Sequence, residues 1–371
     1  MTPDPTQAAP EVLIIGGGAI GLTAAFELVQ RGRTVRIIDP SPGRGALWVA
    51  AGMLAPASEA HFGEEGLVRL LVAAAREWER FAPALEAASG HRLGYRRTGT
   101  LQVAVDAGDR ADLARMVALQ RSLGLEADDL DRASLHSLEP ALAPAIRAGV
   151  HTPGDHQVDT RALATALLDV LARSGVIFDT RRVVAIEGAR ARTDDGSWLA
   201  AQVLIVCPGA HASTIAGLEA LGLPPVRPVK GHVLRLFGPP LLERTVRANV
   251  HGRPVYLVPR AGGELVVGAT VEERGFDTSV LAGEVFRLLE DARRIVPGLD
   301  ELELVEAIAG LRPGSPDNAP SVQWVQEGRV LAAVGHYRNG VLLAPLTASL
   351  IGGMIQAEAG PTAALFAAAH R

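Results

Sequence analysis

Three glycines near the amino terminus have the spacing of a phosphate-binding turn. Gly16, Gly18 and Gly21 follow the apolar run Val12–Ile15 as G-x-G-x-x-G, and Asp39 lies eighteen residues after Gly21. In such a turn the glycines permit a tight bend, a close backbone approach to a pyrophosphate and close helix packing. The following helix directs free N–H groups at the phosphate, and an acid in this position accepts hydrogen bonds from a ribose. The motif predicts a dinucleotide site, and a glycine-rich turn without a ligand is the alternative.

A second polar cluster lies near the carboxyl end, in the stretch GHYRNGVLLAP. Asn339 and Gly340 supply a sharp turn directly after Arg338, and the apolar run that follows indicates a helix from about Val341. An Asn-Gly hairpin turn is the alternative interpretation. A helix that starts here would direct its positive end at an anionic group.

The elements that position these residues can be predicted from their periodicity. Fully apolar runs predict buried strands, and helical spacing predicts helices that alternate with them. The alternating texture of 98–106 and 224–271, broken by Gly and Pro, predicts antiparallel sheet. The predicted strands are 12–15, 35–38, 203–206 and 331–334, and the predicted helices are 24–30, 65–88, 161–173, 281–295 and one from about 341.

These elements predict an α/β fold, with a Rossmann-like nucleotide-binding domain and an inserted substrate domain of mixed or antiparallel sheet. The nucleotide-binding domain is discontinuous, because the chain leaves it twice for the second sheet. Its predicted segments are 11–90, 150–222 and 306–360, those of the substrate domain are 91–149 and 223–305, and 1–10 is a disordered lead-in.

Composition excludes several classes of function. The chain has 371 residues and a net charge of −5, so no basic face for nucleic acid is expected. Lys230 is the only lysine and precedes Gly231, which removes the P-loop and restricts Schiff-base chemistry to one residue. Cys207 is the only cysteine, which excludes an intrachain disulfide and a thiolate zinc cluster. The apolar stretches 12–26 and 341–356 are short and contain glycine, so we expect no membrane span and a cytoplasmic protein.

A group of histidines and aspartates lies in the middle of the chain without a recognised ligand spacing. His151, Asp155, His156 and Asp159 stand in a Gly/Pro turn before the helix predicted at 161–173. Asp159 is placed to cap that helix. We therefore predict no metal site.

Eight stretches together resemble the D-amino-acid-oxidase-like family of FAD-dependent oxidoreductases, and within it the glycine oxidase group of thiamine biosynthesis. The resemblance covers about residues 11 to 356, and the two stretches nearest the carboxyl end, with AAGMLAP, are its most specific parts. In chain order the stretches are IIGGGAIGLTAAFEL, AAGMLAP, GDHQVDTRAL, PVKGH, YLVPR, VVGAT, GLRPGSPDNAP and GHYRNGVLLAP.

The resemblance implies an FAD that lies extended across the first domain, bound without a covalent link, since Cys207 is not the late cysteine that attaches flavin in some relatives. Leu47 stands where the family often has Ser or Thr, so one polar flavin contact is expected to be missing. The implied cofactor-binding residues are Gly16, Gly18, Ala19, Ile20 and Gly21 at the pyrophosphate, Asp39 at the ribose, Val183 at the adenine, Leu47, Ala51, Gly52, Met53, His336, Tyr337, Arg338, Asn339, Gly340, Val341 and Leu342 around the flavin, and Pro40 and Gly209 as further cofactor contacts.

The same resemblance implies the substrate residues. Arg312 would bind the substrate carboxylate as a bidentate fork, with the Tyr256 hydroxyl on the same group. Arg338 would line the pocket, with its carbonyl near the substrate amine. A structural ion pair or an exposed charge is the alternative for each arginine, and an ordinary core aromatic is the alternative for Tyr256.

The implied reaction is oxidative deamination of glycine, sarcosine or small D-amino acids by hydride transfer from Cα to flavin N5. The imine hydrolyses to a 2-oxo acid, glyoxylate in the case of glycine, and ammonia, while O2 is reduced to hydrogen peroxide. No general base is required if the amine binds neutral, because the protein supplies orientation and electrostatics.

Several alternatives stay open. Val271 stands where one relative has Met, so glycine, sarcosine and small D-amino acids all stay open as the preferred substrate. A D-amino-acid dehydrogenase with an acceptor other than O2, a flavin-binding protein without turnover and a nicotinamide dehydrogenase are competing functions. A homo-oligomer is expected, with a homotetramer as one option, and no nucleic-acid partner.

Overall fold

The structure is a computed structural model that describes residues 10–326, 328–358 and 360–370. The predicted lead-in, apart from its last residue, lies outside the described residues.

The described residues form nineteen β-strands. They are β1 Val12–Ile15, β2 Val35–Ile38, β3 Met53–Leu54, β4 Thr100–Ala104, β5 Asp128–Asp131, β6 Ala148–Thr152, β7 His156–Gln157, β8 Ile177–Asp179, β9 Val183–Glu187, β10 Arg190–Thr193, β11 Trp198–Ala200, β12 Val203–Val206, β13 Arg227–Phe237, β14 Thr245–Val250, β15 Arg253–Pro259, β16 Glu264–Gly268, β17 Glu303–Gly314, β18 Ser321–Gln326 and β19 Val330–Val334.

The same part of the chain forms nine α-helices, with short 3-10 turns between some elements. They are α1 Ala19–Gln30, α2 Ala46–Val49, α3 Glu65–Ser89, α4 Ala107–Ser122, α5 Arg132–Leu138, α6 Thr160–Arg173, α7 Ala282–Ile295, α8 Gly340–Ile355 and α9 Pro361–Ala368.

A six-stranded sheet carries the glycine turn, in the order β18-β19-β12-β1-β2-β8. Its strands are parallel except for β18, which pairs antiparallel with β19. The fully apolar sequence of β1 suits a strand covered on both faces. Val12 and Ile14 face the helices α1, α3, α6 and α8, whereas Leu13 and Ile15 face the small sheet β9–β11. The predicted Rossmann-like element is therefore confirmed.

An eight-stranded mixed sheet forms the second layer, in the order β17-β13-β16-β15-β14-β4-β6-β5. It is antiparallel except where β4 pairs parallel with β14. Alternate residues of β13 again separate two faces: Leu234 packs in the core beside α7, and Val233 packs against Val49 of α2 on the face that looks toward the first sheet. The predicted antiparallel texture is confirmed, and this one parallel pair makes the sheet mixed.

The two-domain division remains a proposal, and the strand bounds suggest a change to it. The predicted boundary at 149/150 falls inside β6, and the boundary at 305/306 falls inside β17, both in the eight-stranded sheet. Because a strand seldom belongs to two domains, we propose to move these boundaries to the ends of the two strands.

Several predicted helices are confirmed with small shifts of their bounds. The first helix begins at Ala19 rather than at residue 24, because the glycine turn leads directly into it. Asp159 accepts hydrogen bonds from the backbone N–H groups of Arg161 and Ala162, so it caps α6 as predicted. The Asn-Gly hairpin alternative is wrong, because Gly340 is the first residue of α8.

Within the described residues, the segment Tyr337–Ile355 is apolar and long enough to cross a membrane by those two criteria alone. About 72% of its most apolar window is buried inside the protein, where α8 packs against α1 and α3. A core helix passes the same two criteria, and α8 has the burial of a core helix.

Candidate active site

A cavity of about 970 Å³ extends from the carboxyl ends of β1, β12 and β19 to the inner face of the eight-stranded sheet. In a parallel α/β sheet, ligands bind at the carboxyl ends of the strands. The second sheet closes the other end of the cavity with residues of β13, β14, β15 and β17. The cavity therefore has a nucleotide end and a substrate end, and these two names are used below.

The glycine turn forms the wall of the nucleotide end. Gly16 has a φ of +103°, and a Cβ there would lie 2.2 Å from the Cys207 carbonyl oxygen. A Cβ on Gly18 would meet no atom within 4 Å, so the space beside it is open. Gly18 is also the N-cap residue of α1, and no side chain caps this end of the helix. The turn thus presents backbone N–H groups to the cavity, and only small residues in it leave those groups accessible to a ligand.

Asp39 lies at the end of β2 beside this turn. Its two carboxylate oxygens accept hydrogen bonds from Gly17 N and Ser41 N, each at 2.7 Å. Each oxygen keeps a free lone pair, so the carboxylate can still accept from a ribose hydroxyl. The backbone bonds hold it in place for that contact.

Cys207 contacts the glycine turn but is not arranged as a nucleophile. Its Sγ lies 3.5 Å from the Gly16 carbonyl oxygen, and the residue is buried. Burial strongly raises the pKa of the Cys207 thiol, which keeps it protonated and unreactive.

The turn before α8 lines the middle of the cavity. Asn339 is buried, and its Nδ2 has no hydrogen-bond partner among the described residues. Such an amide requires an acceptor that the described residues do not supply. His336 is also buried, with Nε2 3.1 Å from Thr347 Oγ1, and burial lowers its pKa to about 3. His336 is therefore a neutral part of the wall at physiological pH.

Most of the predicted site residues line this cavity, and two do not. The lining residues among them are Gly16, Gly18, Ala19, Ile20, Asp39, Pro40, Leu47, Ala51, Gly52, Met53, Val183, Gly209, Tyr256, Arg312, His336, Tyr337, Arg338, Asn339, Gly340 and Val341. Gly21 instead packs under the turn, where a Cβ would lie 1.9 Å from the Gly16 carbonyl oxygen. Leu342 faces the core, and its carbonyl accepts a hydrogen bond from Trp78 Nε1 at 2.9 Å.

Arg312 lies on β17 at the substrate end. Its Nη1 donates to the Thr270 carbonyl at 3.1 Å, and the guanidinium occupies the space where a side chain at Gly231 would lie. No carboxylate pairs with Arg312 among the residues that the structure describes. An arginine that lines a cavity with its charge unpaired is suited to an anionic ligand.

Tyr256 lies on β15 beside Arg312, with its hydroxyl over Gly268. Burial raises the pKa of the Tyr256 phenol, although the Arg312 charge opposes that effect. The hydroxyl therefore stays protonated and can donate a hydrogen bond. Its place in the cavity wall argues against the core-aromatic alternative.

The side chain of Arg338 is engaged in ion pairs, in agreement with the alternative interpretation of this residue. Its Nη2 lies 2.5 Å from Glu64 Oε2, and its Nε lies 3.1 Å from Glu59 Oε2. The guanidinium is thus not free to bind a substrate acid as Arg312 is. Arg338 does line the cavity, as the resemblance implies. The role of its backbone carbonyl in binding the substrate amine stays a prediction.

Sequence reasoning missed Arg247, which lines the cavity, and Arg260, which lies behind its wall. Arg247 forms an ion pair with Glu59 and lies 3.4 Å from Met53 Sδ. Arg260, the last residue of YLVPR, is buried and donates to the Ala51 carbonyl and to Gln157 Oε1. Burial lowers the pKa of Arg260 to about 10, so it keeps its charge at pH 7 and fixes the turn beside Met53. Arg260 could have been found from its place in the motif, but no local signal marks Arg247.

The histidines and aspartates before α6 have structural partners. Asp155 is fully buried and accepts from Ala57 N and Ser58 N at 2.9 and 2.8 Å, while burial raises its pKa. A different group, Asp106, Asp109 and His251, places three potential metal ligands within 4.8 Å of one another. Asp106 caps α4, and Asp109 accepts hydrogen bonds from backbone N–H groups, so these carboxylates already have partners.

Comparison with known proteins identifies the family. The model of the FAD dependent oxidoreductase family matches residues 11–354. This chain belongs to that family. It is 34% identical to glycine oxidase from Geobacillus kaustophilus over 93% of each chain, and the crystal structure of that enzyme superposes with a TM-score of 0.87 over 94% of this chain and 95% of the other.

Two further relatives show the range of the family. The bifunctional protein ThiO/ThiG from Nostoc sp. is 32% identical over 93% of this chain and 52% of its own length. The structure of iminodiacetate oxidase from Chelativorans sp. is 29% identical, with a TM-score of 0.81 over 94% of this chain and 95% of the other.

FAD is the cofactor of this family, and the cavity fits it. The open space beside Gly18 would accommodate a pyrophosphate. The unpartnered Asn339 amide lines the middle of the cavity, where an isoalloxazine edge would supply an acceptor. The cavity is also large enough for a dinucleotide and a small acid together. The prediction of an FAD cofactor is confirmed, and the separate contacts stay predictions.

Proposed function

We propose that this chain is an FAD-dependent oxidase of glycine and other small amino acids, with a place in thiamine biosynthesis. The observation that carries the proposal is the unpaired guanidinium of Arg312 beside the Tyr256 hydroxyl in the cavity wall. A small acid is the ligand that such a pair recognises. The glycine oxidase and ThiO names of the relatives support the substrate and the pathway.

The residues that would hold FAD follow from the geometry of the nucleotide end. Backbone N–H groups of the turn from Gly16 to Ile20 would bind the pyrophosphate, and Asp39 would bind the ribose. The start of α8 would direct its positive end at the flavin, which favours negative charge there. We propose that the cofactor is not covalently attached, because the Cys207 thiol is buried and protonated.

When bound, FAD would supply the hydride acceptor for the substrate Cα–H bond and the electrons that reduce O2 to hydrogen peroxide. Arg312 and Tyr256 hold the substrate carboxylate, which fixes the direction of the Cα–H bond. The Arg338 carbonyl would accept a hydrogen bond from the substrate amine. His61 and His336 add no positive charge: burial and Arg338 lower the pKa of His61, and burial lowers that of His336. Removal from water and the unpaired Arg312 charge disfavour a substrate ammonium, so the amine would bind neutral and no general base is needed.

The products of this reaction with glycine are glyoxylate, ammonia and hydrogen peroxide, and sarcosine and small D-amino acids are further candidate substrates. Val271 is 60% exposed at the cavity wall, so this residue narrows the pocket little. We propose a cytoplasmic homo-oligomer that takes its substrate and O2 from solution.

The test compares Arg312→Ala with the wild-type enzyme on glycine, with peroxide as the readout. Loss of a charged partner of a bound carboxylate typically costs about 2–5 kcal/mol, so we expect KM to rise sharply. Flavin content, measured by absorbance, should remain that of the wild type. Arg190→Ala is the control, because Arg190 pairs with Glu187 on the surface.

Unchanged glycine kinetics in Arg312→Ala would refute the carboxylate clamp. If glycine bleaches the flavin without peroxide formation, the protein is a dehydrogenase with another acceptor. If no small amino acid bleaches it, the chain is a flavin-binding protein without this turnover.

A further inference from the structure

The substrate end of the cavity holds more positive charge than one carboxylate requires. Arg247, Arg312 and Arg338 all line it, and Glu59 lines it between two of them. Arg247 is the direct cross-strand neighbour of Tyr256, in the register of β14 with β15. A second cation therefore stands next to the proposed carboxylate clamp.

Glu59 occupies the position between two of these cations. One carboxylate oxygen pairs with Arg247, and the other lies 3.1 Å from Arg338 Nε. Burial acts to raise the pKa of Glu59, but Arg247 and Arg338 outweigh it, and the pKa lies below its ordinary value. The side chain is thus an anion held by two guanidinium groups inside the cavity.

The position of Glu59 is fixed by its backbone. The fully buried Asp155 accepts hydrogen bonds from Ala57 N and Ser58 N, which immediately precede Glu59, and from Thr152 Oγ1. Gln120 Nε2 also donates to the Ala57 carbonyl at 3.1 Å. A segment held at both its N–H and C=O groups keeps the Glu59 side chain in the cavity.

We propose that Glu59 is a specificity-determining residue that fills a second anion-binding position, formed by Arg247 and Arg338, and thereby restricts the enzyme to substrates with one acid group. The inference rests on the proposed function, since it assumes that Arg312 binds the substrate carboxylate. Glu59 neutralises Arg247, and Glu59 and Glu64 neutralise Arg338. Of these three guanidinium groups, Arg312 is the one without a carboxylate partner among the described residues. A substrate with a second carboxylate meets the Glu59 anion and is repelled.

The test uses a pair of inert acids that differ by one carboxylate. Diglycolate and methoxyacetate share the ether chain, and neither has an amine to oxidise. Binding to the FAD-loaded enzyme is measured as competitive inhibition of glycine oxidation and as perturbation of the flavin absorbance. In Glu59→Ala, diglycolate should bind about tenfold to a hundredfold tighter than in the wild type, the range of a charge-assisted hydrogen bond. Methoxyacetate should change little.

Three further variants separate the causes. Glu59→Gln removes the charge with little change of volume and should show the same direction, which covers the case in which the alanine variant fails to fold. Glu59→Asp keeps the charge and should restore rejection of diglycolate. Glu64→Gln removes an acid that pairs with Arg338 but does not line the cavity, and it should keep the wild-type ratio of the two ligands.

The double variant Glu59→Ala/Arg247→Gln decides which cation is involved. This variant should not bind diglycolate more tightly than the wild type does, because the Arg247 guanidinium that Glu59→Ala exposes has been removed. The inference is overturned if neither Glu59→Ala nor Glu59→Gln binds diglycolate more tightly, or if the double variant gains as much as the single one. Failure of the wild type to oxidise glycine at all would instead refute the proposed function.

Discussion

The two ends of the cavity are built by different means. At the nucleotide end, the contacts come from the backbone of one short segment, Gly16 to Ile20, and from Asp39, which its own neighbours hold in place. At the substrate end, they come from side chains of four strands, and Arg312 and Tyr256 are 56 residues apart in the sequence. A cofactor site is therefore readable from local sequence, whereas a substrate site depends on how distant strands pair.

The charges of the two ends differ in the same way. The nucleotide end uses backbone N–H groups, the start of α1 and the Asp39 carboxylate. The substrate end holds three guanidinium groups around the Glu59 carboxylate. Substitutions at the first end should therefore change cofactor binding, and those at the second should change substrate choice with the flavin retained.

The largest expected effect contrasts two glycines of the same turn. In Gly16→Ala, the new Cβ would lie 2.2 Å from the Cys207 carbonyl and would require a φ of +103°, so we expect loss of FAD and of stability. In Gly18→Ala, the Cβ meets no protein atom within 4 Å, so the apoprotein should keep its melting temperature. FAD should nevertheless bind more weakly, because the methyl group occupies the open space beside the turn.

Thermal melts of the apoprotein and FAD titrations distinguish the two cases. An unchanged FAD affinity in Gly18→Ala would contradict the proposed pyrophosphate position. Normal flavin content in Gly16→Ala would contradict the close approach of the turn to β12.

The parts that could be predicted are those with local signals. The run Val12–Ile15, the glycine turn and the helix from Gly340 each have a pattern within about twenty residues, and each lies where it was expected. The parallel pairing of β4 with β14 joins segments about 145 residues apart and has no local signal. The helix α4 was missed because its apolar face is short, with Val117 and Leu119 as its buried apolar residues.

The same limit applies to the candidate site. Arg312 and Tyr256 were placed by resemblance rather than by spacing, because nothing in GLRPG or VYLVPR marks a carboxylate ligand on its own. The pairing of Glu59 with Arg247 spans 188 residues, so only the folded chain brings the two together. For Arg338, the sequence is compatible with both a substrate-binding arginine and a structural ion pair, because its partners Glu59 and Glu64 are distant in the chain.

A smaller effect concerns His336, the buried histidine between the two ends. Burial lowers the pKa of His336 to about 3, whereas an unfolded histidine titrates near 6.5. Below pH 6.5 the unfolded chain takes up a proton that the folded one does not, so stability falls as the pH falls toward 3. Between pH 7.5 and 5 this group contributes a loss of about 2 kcal/mol.

Denaturant unfolding at the two pH values, with FAD in excess, measures this loss. His336→Gln should be less stable at pH 7.5 but should lose about 2 kcal/mol less than the wild type on acidification, because the titrating group is gone. Equal losses in the two proteins would show that His336 is protonated or exposed in the folded state.

The smallest expected effect comes from the removal of one hydroxyl oxygen at the substrate end. Tyr256→Phe removes the hydroxyl proposed to bind the substrate carboxylate, and a net hydrogen bond is worth about 1 kcal/mol. We expect the KM for glycine to rise by less than about tenfold, with kcat and flavin content nearly unchanged. Tyr95→Phe is the matched control, because Tyr95 lies outside the cavity and its buried hydroxyl has no partner among the described residues. That variant should keep the wild-type KM, and a rise in KM in both variants would mean that the effect comes from packing rather than from the carboxylate contact.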